Sequence, residues 1–176
     1  PPSEVLWADD AQEPSLFGAS NEELPRFAVP NVPSVFLDMA RSVAAHTDAR
    51  RWSVLYRVLW RLTHGDERHL LAISTDPDMR QVQQWCKAIG RDIHKMHAFV
   101  RFRLVGSDQS TGREQFVAWF EPEYRIVRLA AGFFEKRFVG MDWSILTPHE
   151  CVHWDGSAVH FTPGVSRSAA PSDDEL

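Results

Sequence analysis

The sequence has little cysteine and lacks any long apolar run. Its two cysteines, Cys86 and Cys151, lie 65 positions apart, and neither belongs to a CxxC motif. The chain therefore predicts neither a disulfide framework nor a zinc or iron–sulfur site. No apolar stretch approaches the roughly 20 residues that a membrane-spanning helix needs, and the first residues carry acids and prolines instead of a leader peptide's basic and apolar regions. We expect a soluble, cytoplasmic protein that holds no cofactor or metal.

Charge is distributed very unevenly along the 176 residues, whose net charge is −5. Residues 1–49 carry 2 basic and 8 acidic side chains, residues 50–137 carry 16 and 10, and residues 138–176 carry 1 and 6. A basic middle between acidic ends is typical of a polyanion-binding region with solubilising ends, but uneven placement of surface charge gives the same pattern. Charge alone leaves both interpretations open.

The apolar periodicity predicts one α+β domain over residues 1–165. A proline-rich, extended arm (residues 1–33) precedes about three helices, and a mainly antiparallel sheet of about five strands follows, with one helix between its hairpins. The composition of residues 166–176 predicts an acidic disordered tail or linker. The expected helices cover residues 34–46, 48–64, 76–96 and 126–139, and the expected strands cover residues 98–104, 114–120, 143–147, 151–154 and 158–161.

Local signals add detail to three of these elements. Asp76 followed by Pro77 predicts the start of the third helix, with Asp76 as its N-cap. Asp155-Gly156 predicts a two-residue hairpin turn between the last two strands. The second helix should end at Gly65 and bury a stripe made of Trp52, Leu55, Leu59 and Leu62.

The stretch from Arg91 to Arg103 concentrates basic, histidine and aromatic side chains. Helical spacing gives way there to strict alternation, which we place at Ala98, so the stretch predicts a basic corner between a helix and a strand. Nucleic-acid binding needs cations that contact phosphates and aromatic rings on which bases stack, and such a corner supplies both. The candidate binding residues are Arg91, His94, Lys95, Arg101, Arg103 and Trp119, and Phe99 is a second ring on which a base could stack. In the alternative interpretation the first two helices cover this face, and its arginines pair with the acidic termini.

Enzymatic chemistry has weaker support in the residues. His94 and His97 are three positions apart on the third helix, but a metal site would need further ligands, and the neighbouring Arg91 and Lys95 repel a cation. Cys151 lies beside two histidines, yet no nucleophile elbow, phosphate-binding loop or dinucleotide fingerprint accompanies it. We expect no catalytic centre in this domain.

Several longer runs resemble a bacterial domain of unknown function that is labelled a probable DNA-metabolism protein. The runs are RDIHKMHAFVRFR at 91–103, FVAWFEP at 116–122, FFEKRF at 133–138, WSILTP at 143–148 and LYRVLWRL at 55–62. Members of that family occur alone, beside a putative DNA-repair radical-SAM protein, or fused in front of a uracil-DNA glycosylase domain. The resemblance implies a context in DNA repair and assigns no catalytic residue. It also implies a fragment of a longer protein and leaves open whether that protein is a fusion.

Together, the residues and the resemblance predict a non-catalytic DNA-binding or adaptor module that serves a uracil-DNA glycosylase or radical-SAM repair partner. Whether the DNA is single-stranded or duplex stays open. One alternative is a protein-interaction module that docks the same partner without touching nucleic acid. Another is a small enzyme acting on a nucleotide or base, with His94, Lys95 and His97 as acid–base groups.

Overall fold

A computed structural model describes residues 31–65, 67, 69–109 and 112–169, and these residues form the predicted α+β fold. Most of the predicted arm and tail lies outside the described residues. Within these ranges, four α-helices and five strands follow one another. They are α1 (Ser34–Ala44), α2 (Arg51–His64), α3 (Pro77–Phe99), β1 (Arg103–Ser107), β2 (Glu114–Trp119), α4 (Val127–Arg137), β3 (Asp142–Leu146), β4 (Glu150–Trp154) and β5 (Val159–Pro163).

Two compact units divide the described residues. The first contains residues 31–44 and the described part of 48–84, and the second contains residues 45–47 and the described part of 85–169. Helix α3 begins in the first unit and ends in the second. The single domain expected over residues 1–165 therefore stays a prediction. No helix in the described ranges is long and apolar enough to cross a membrane.

In the first unit, an ion-pair cluster holds the start of α3. Asp76 is the N-cap, as predicted, because its Oδ1 accepts a hydrogen bond from the Met79 backbone N–H at 3.0 Å. Its Oδ2 accepts a hydrogen bond from Arg61 at 2.7 Å, and the same guanidinium binds Glu67 at 2.6 Å. These contacts, with the Arg61 hydrogen bond foremost, lower the pKa of the Asp76 carboxyl. One carboxylate thus caps α3 and ties it to α2.

The buried stripe expected for α2 is confirmed at Leu55 and wrong at Trp52, while Leu59 and Leu62 are partly buried. Val54, Leu55 and Val58 are buried, whereas Trp52 is 38% exposed and lies under the Arg51 guanidinium at 4.8 Å. Apolar residues occur on both sides of Leu55, so helical spacing alone admits two stripes, and the structure uses the one that contains the two valines. The end of α2 at Gly65 is confirmed. A Cβ there would lie 2.8 Å from the Arg61 carbonyl oxygen, which explains the glycine.

The second unit is built on a five-stranded sheet in which the strands follow in sequence order. All neighbouring pairs are antiparallel except β2 and β3, which are parallel and are joined through α4. This mainly antiparallel order agrees with the predicted sheet, and the parallel pair needs the crossover that α4 supplies. One hydrophobic core joins the sheet to α3 and α4. Its most buried side chains are Ile89, Met96, Ile126, Phe134, Trp143, Ile145 and Val152.

The change from helix to strand occurs later than predicted. Helix α3 continues to Phe99, and β1 begins only at Arg103. Met96 and Val100 are both buried, and the Val100 N–H bonds the Met96 carbonyl at 3.1 Å, so helical packing persists where the sequence alternates. The predicted two-residue turn at Asp155-Gly156 is wrong as well. The connection covers residues 155–158, with Gly156 at φ +88° and the Asp155 carboxylate accepting two backbone N–H groups.

We predict that Asp76→Ala lowers the free energy of unfolding by about 2 kcal/mol, since it removes both the cap of α3 and a partner of Arg61. Urea denaturation followed by circular dichroism measures this change. Asp38→Ala is the matched control, because among the described residues Asp38 pairs only with Arg41, at 3.3 Å between side chains that are each 73% exposed. An equal loss in both variants would contradict the capping role.

Candidate nucleic-acid interface

The packing of the second half of α3 decides which of its side chains face outward. Ile89, Asp92, Met96 and Val100 are buried, and they recur at the three- and four-residue spacing of a single helical face. Residues about half a turn away must therefore lie on the opposite face. Lys87, Arg91, His94 and Lys95 occupy that face, and all four are exposed.

These four residues line a shallow groove of about 540 Å³, and Gly90 lies between them. We refer to the cavity bounded by Lys87, Gly90, Arg91, His94 and Lys95 as the α3 groove. Within the described ranges, no hydrogen bond or ion pair ties the four side chains to another residue. Among the described residues, the groove therefore presents Lys87, Arg91 and Lys95 without a hydrogen-bonded or ion-paired partner.

An exposed aromatic ring extends this surface beyond the groove. His97, three residues after His94, stacks on Phe133 of α4 with ring centroids 4.1 Å apart. Its Nε2 lies 3.3 Å from the Ala130 carbonyl oxygen, to which it can donate a hydrogen bond. Burial lowers the pKa of His97, although the Ala130 contact opposes this shift. The ring therefore stacks as neutral imidazole at pH 7, while Phe133 keeps 42% of its surface exposed.

The six residues predicted to bind nucleic acid fall into two groups. Arg91, His94 and Lys95 line the α3 groove, whereas Arg101, Arg103 and Trp119 do not. Arg101 donates hydrogen bonds to the carbonyl oxygens of Ala98 at 2.7 Å and Val100 at 3.1 Å, so it satisfies the C-terminal end of α3.

Arg103 and Trp119 lie in the sheet. Arg103 pairs with Val117 across β1 and β2, so its side chain is on the same face as Trp119, two residues further along. Both are only partly exposed, and the Arg167 guanidinium lies 5.5 Å from the Trp119 ring. Their shared face agrees with the strand pattern in the sequence, but the structure separates them from the groove residues.

Sequence reasoning missed Phe133 and Gly90. In the sequence, Phe133 belongs to an aromatic cluster that we expected to pack α4 on the sheet. Spacing alone does not distinguish an exposed ring from a buried one. Gly90 carries no side chain and left no chemical signal. A glycine in the middle of a strongly periodic helix was the one available sign.

The other candidate chemistry is dispersed. Cys151 is fully buried, and its thiol donates to the Thr147 carbonyl oxygen at 3.7 Å. His153 instead lies 2.8 Å from the hydroxyl of Ser144, its cross-strand partner on β3, and 2.8 Å from the Thr162 hydroxyl on β5. Among the described residues, no three His, Cys, Asp or Glu side chains are arranged to hold a metal ion.

Asp92 has a structural role that its position beside His94 did not reveal. Its side chain is buried, and its Oδ2 accepts a hydrogen bond from the Tyr124 backbone N–H at 3.0 Å. Burial raises the pKa of this carboxyl, although hydrogen bonds from the Tyr124 and Glu123 backbone oppose the shift. Asp92 thus fixes the segment that leads into α4, and with it the position of Phe133 relative to α3.

A family model described as a domain of unknown function, DUF4130, matches residues 49–173. The match includes the whole of α3, the sheet and α4. No curated protein and no solved structure matches the chain.

We predict that Asp92→Ala lowers the free energy of unfolding by about 1–2 kcal/mol, because the Tyr124 N–H loses its acceptor. Asp92→Asn should lose less, since its amide oxygen can still accept that hydrogen bond.

The pH dependence of the same variants tests the buried charge. Because the folded-state pKa of Asp92 lies above its ordinary value of 3.8, the protonated carboxyl favours the fold at low pH, and this contribution is lost as the pH rises through the folded-state pKa. Wild type should therefore lose stability relative to Asp92→Asn as the pH rises from 4 to 7. Parallel pH profiles of wild type and Asp92→Asn would contradict the assignment.

Proposed function

The chain belongs to the DUF4130 family of domains of unknown function, and we propose that it is a non-catalytic nucleic-acid-binding module that acts as an adaptor for a DNA-repair enzyme. The α3 groove carries this proposal. The repair context, with a uracil-DNA glycosylase or radical-SAM protein as partner, rests on the resemblance described from the sequence.

Spacing along α3 supports the binding of a phosphate chain. Lys87, Arg91 and Lys95 recur every fourth residue, so their Cα atoms lie about 6 Å apart along one side of the helix. A row of this kind can contact several phosphates of one strand at once. The protein carries a net charge of −5, so the attraction is local to this face and must be sensitive to salt.

Phe133 provides the second feature that nucleic-acid binding needs, which is a surface on which a base can stack. His97 fixes the ring by stacking on it and by its contact with the Ala130 carbonyl. A ring held in this way loses little conformational entropy when a ligand contacts it. Stacking on an aromatic ring tolerates any base, which suits an adaptor better than an enzyme that selects one nucleotide.

A second candidate function is docking of the partner protein alone. Leu129 and Phe133 are 39% and 42% exposed, and they lie four residues apart on the same side of α4. Exposed apolar pairs of this type also mark protein-protein contacts. Under this alternative a pull-down of the repair enzyme survives nuclease treatment, and the nucleic-acid titration below shows no binding.

We predict that Arg91→Glu with Lys95→Glu weakens binding to DNA by at least about tenfold at low salt, because two attractive contacts become repulsive. Fluorescence anisotropy with labelled single-stranded and duplex oligonucleotides at several salt concentrations measures the effect. The slope of log affinity against log salt should also fall, by about 0.7 per lost contact on a single strand and about 0.9 on a duplex.

Arg41→Glu with Arg80→Glu is the matched control. It changes the net charge by the same amount, and both arginines are exposed and lie outside the groove. Because Arg41 pairs with Asp38 and Arg80 donates to the Thr75 carbonyl oxygen, both at 3.3 Å, the Tm of this variant is measured beside its affinity. Arg101 is unsuitable for this test because it satisfies the end of α3. Equal losses in the two double variants, or no binding by wild type at low salt, would overturn the proposal.

A further inference from the structure

Gly90 is a residue that the fold itself does not explain. It lies inside the 23-residue helix α3, where glycine is less favourable than alanine because it loses more backbone entropy on folding. A Cβ at this position would meet no other atom within 4 Å. Neither a tight turn nor close packing within the protein therefore explains why this position is a glycine.

The surroundings of Gly90 indicate what could require it. Lys87, Arg91, His94 and Lys95 line the α3 groove together with Gly90. Without a side chain at Gly90, the helix backbone is open to solvent beside Lys87, Arg91 and Lys95. Glycine is used in proteins where a ligand approaches the backbone closely, and a phosphate group carries the charge that Lys87, Arg91 and Lys95 attract.

Phe133 identifies the kind of nucleic acid. The distance along α3 from Gly90 to His97, on which Phe133 stacks, is seven residues, or about 10 Å. That distance brings the ring within reach of a nucleotide close to the one whose phosphate lies at Gly90. A base can stack on a protein ring only if it is unpaired and turned outward, as in single strands. Duplex bases are covered by their neighbours.

We propose that the α3 groove binds single-stranded nucleic acid, with one phosphate seated over Gly90 and a nearby base stacked on Phe133. This inference rests on the proposed function and specifies its ligand. Seating at Gly90 requires that no side chain stands between the phosphate and the helix. A methyl group there displaces the phosphate from the surrounding cations, and a larger side chain displaces it further.

The chain supplies a matched control for this test in Gly132. It lies inside α4, is exposed, and would also place a Cβ more than 4 Å from any other atom. Gly90→Ala and Gly132→Ala should both raise the Tm slightly, by about 1–3 °C, because alanine favours a helix. Only Gly90→Ala should weaken binding of a labelled oligothymidylate, by about fivefold, and Gly90→Leu should weaken it further while keeping the helix.

Phe133→Leu tests the stacked base, since leucine keeps the apolar contact and removes the ring. It should reduce single-strand affinity by about fivefold or more and leave any residual duplex affinity unchanged.

The outcomes separate the inference from the proposed function. No binding by wild type at low salt overturns both. Binding by wild type that Gly90→Ala and Gly132→Ala leave equally strong overturns the seat at Gly90 and keeps a nucleic-acid-binding module. Tighter binding of duplex than of single strand, with Phe133→Leu equal to wild type, overturns the assignment to single strands.

Discussion

The burial of one face of α3 is the constraint on which the second unit depends. Met96 and Ile89 are fully buried in a core that also contains Phe134 and Trp143. Their positions leave the helix a single rotational setting, since rotation by one residue would bring a charged side chain into that core. The same setting presents Lys87, Arg91, His94 and Lys95 outward. One face of α3 therefore contributes to the core, and the opposite face of the same helix carries the candidate site.

The arginines of the first unit show why exposure of charge on α3 is informative. Arg57 and Arg61 of α2 are also basic residues on a helix, but Arg57 binds Asp78 at 2.6 Å and Arg61 binds Glu67 and Asp76. Those guanidinium groups hold the unit together, and using them for a ligand would break their ion pairs. The α3 groove residues have no such contacts within the described ranges, so a polyanion can bind them without competing with the fold.

Much of the fold could be predicted from periodicity, because helices and strands of this protein bury one regular face. Asp76 and Gly65 marked helix ends through local chemistry that sequence alone contains. The end of α3 could not be placed, since Ala98, Val100 and Phe102 fit alternation as well as Met96 and Val100 fit a helix, and only packing decides between them. Of the candidate site, the basic side of α3 could be predicted from spacing. Arg101 binds the Ala98 and Val100 carbonyl oxygens at the end of α3, which the sequence did not place there, and the Arg167 contact of Trp119 depends on tertiary structure.

The size of the α3 groove bears on how such a module would act. Three or four cations and one ring supply a few contacts, and each surface cation contributes modestly because water and salt compete for it. Binding by this surface alone should be weak and rapidly reversible. Tethering to an enzyme changes the outcome, because a second contact on the same strand then forms at a high effective concentration. Weak, sequence-tolerant binding is thus the property that an adaptor needs, since it holds a repair enzyme near DNA without fixing it to one site.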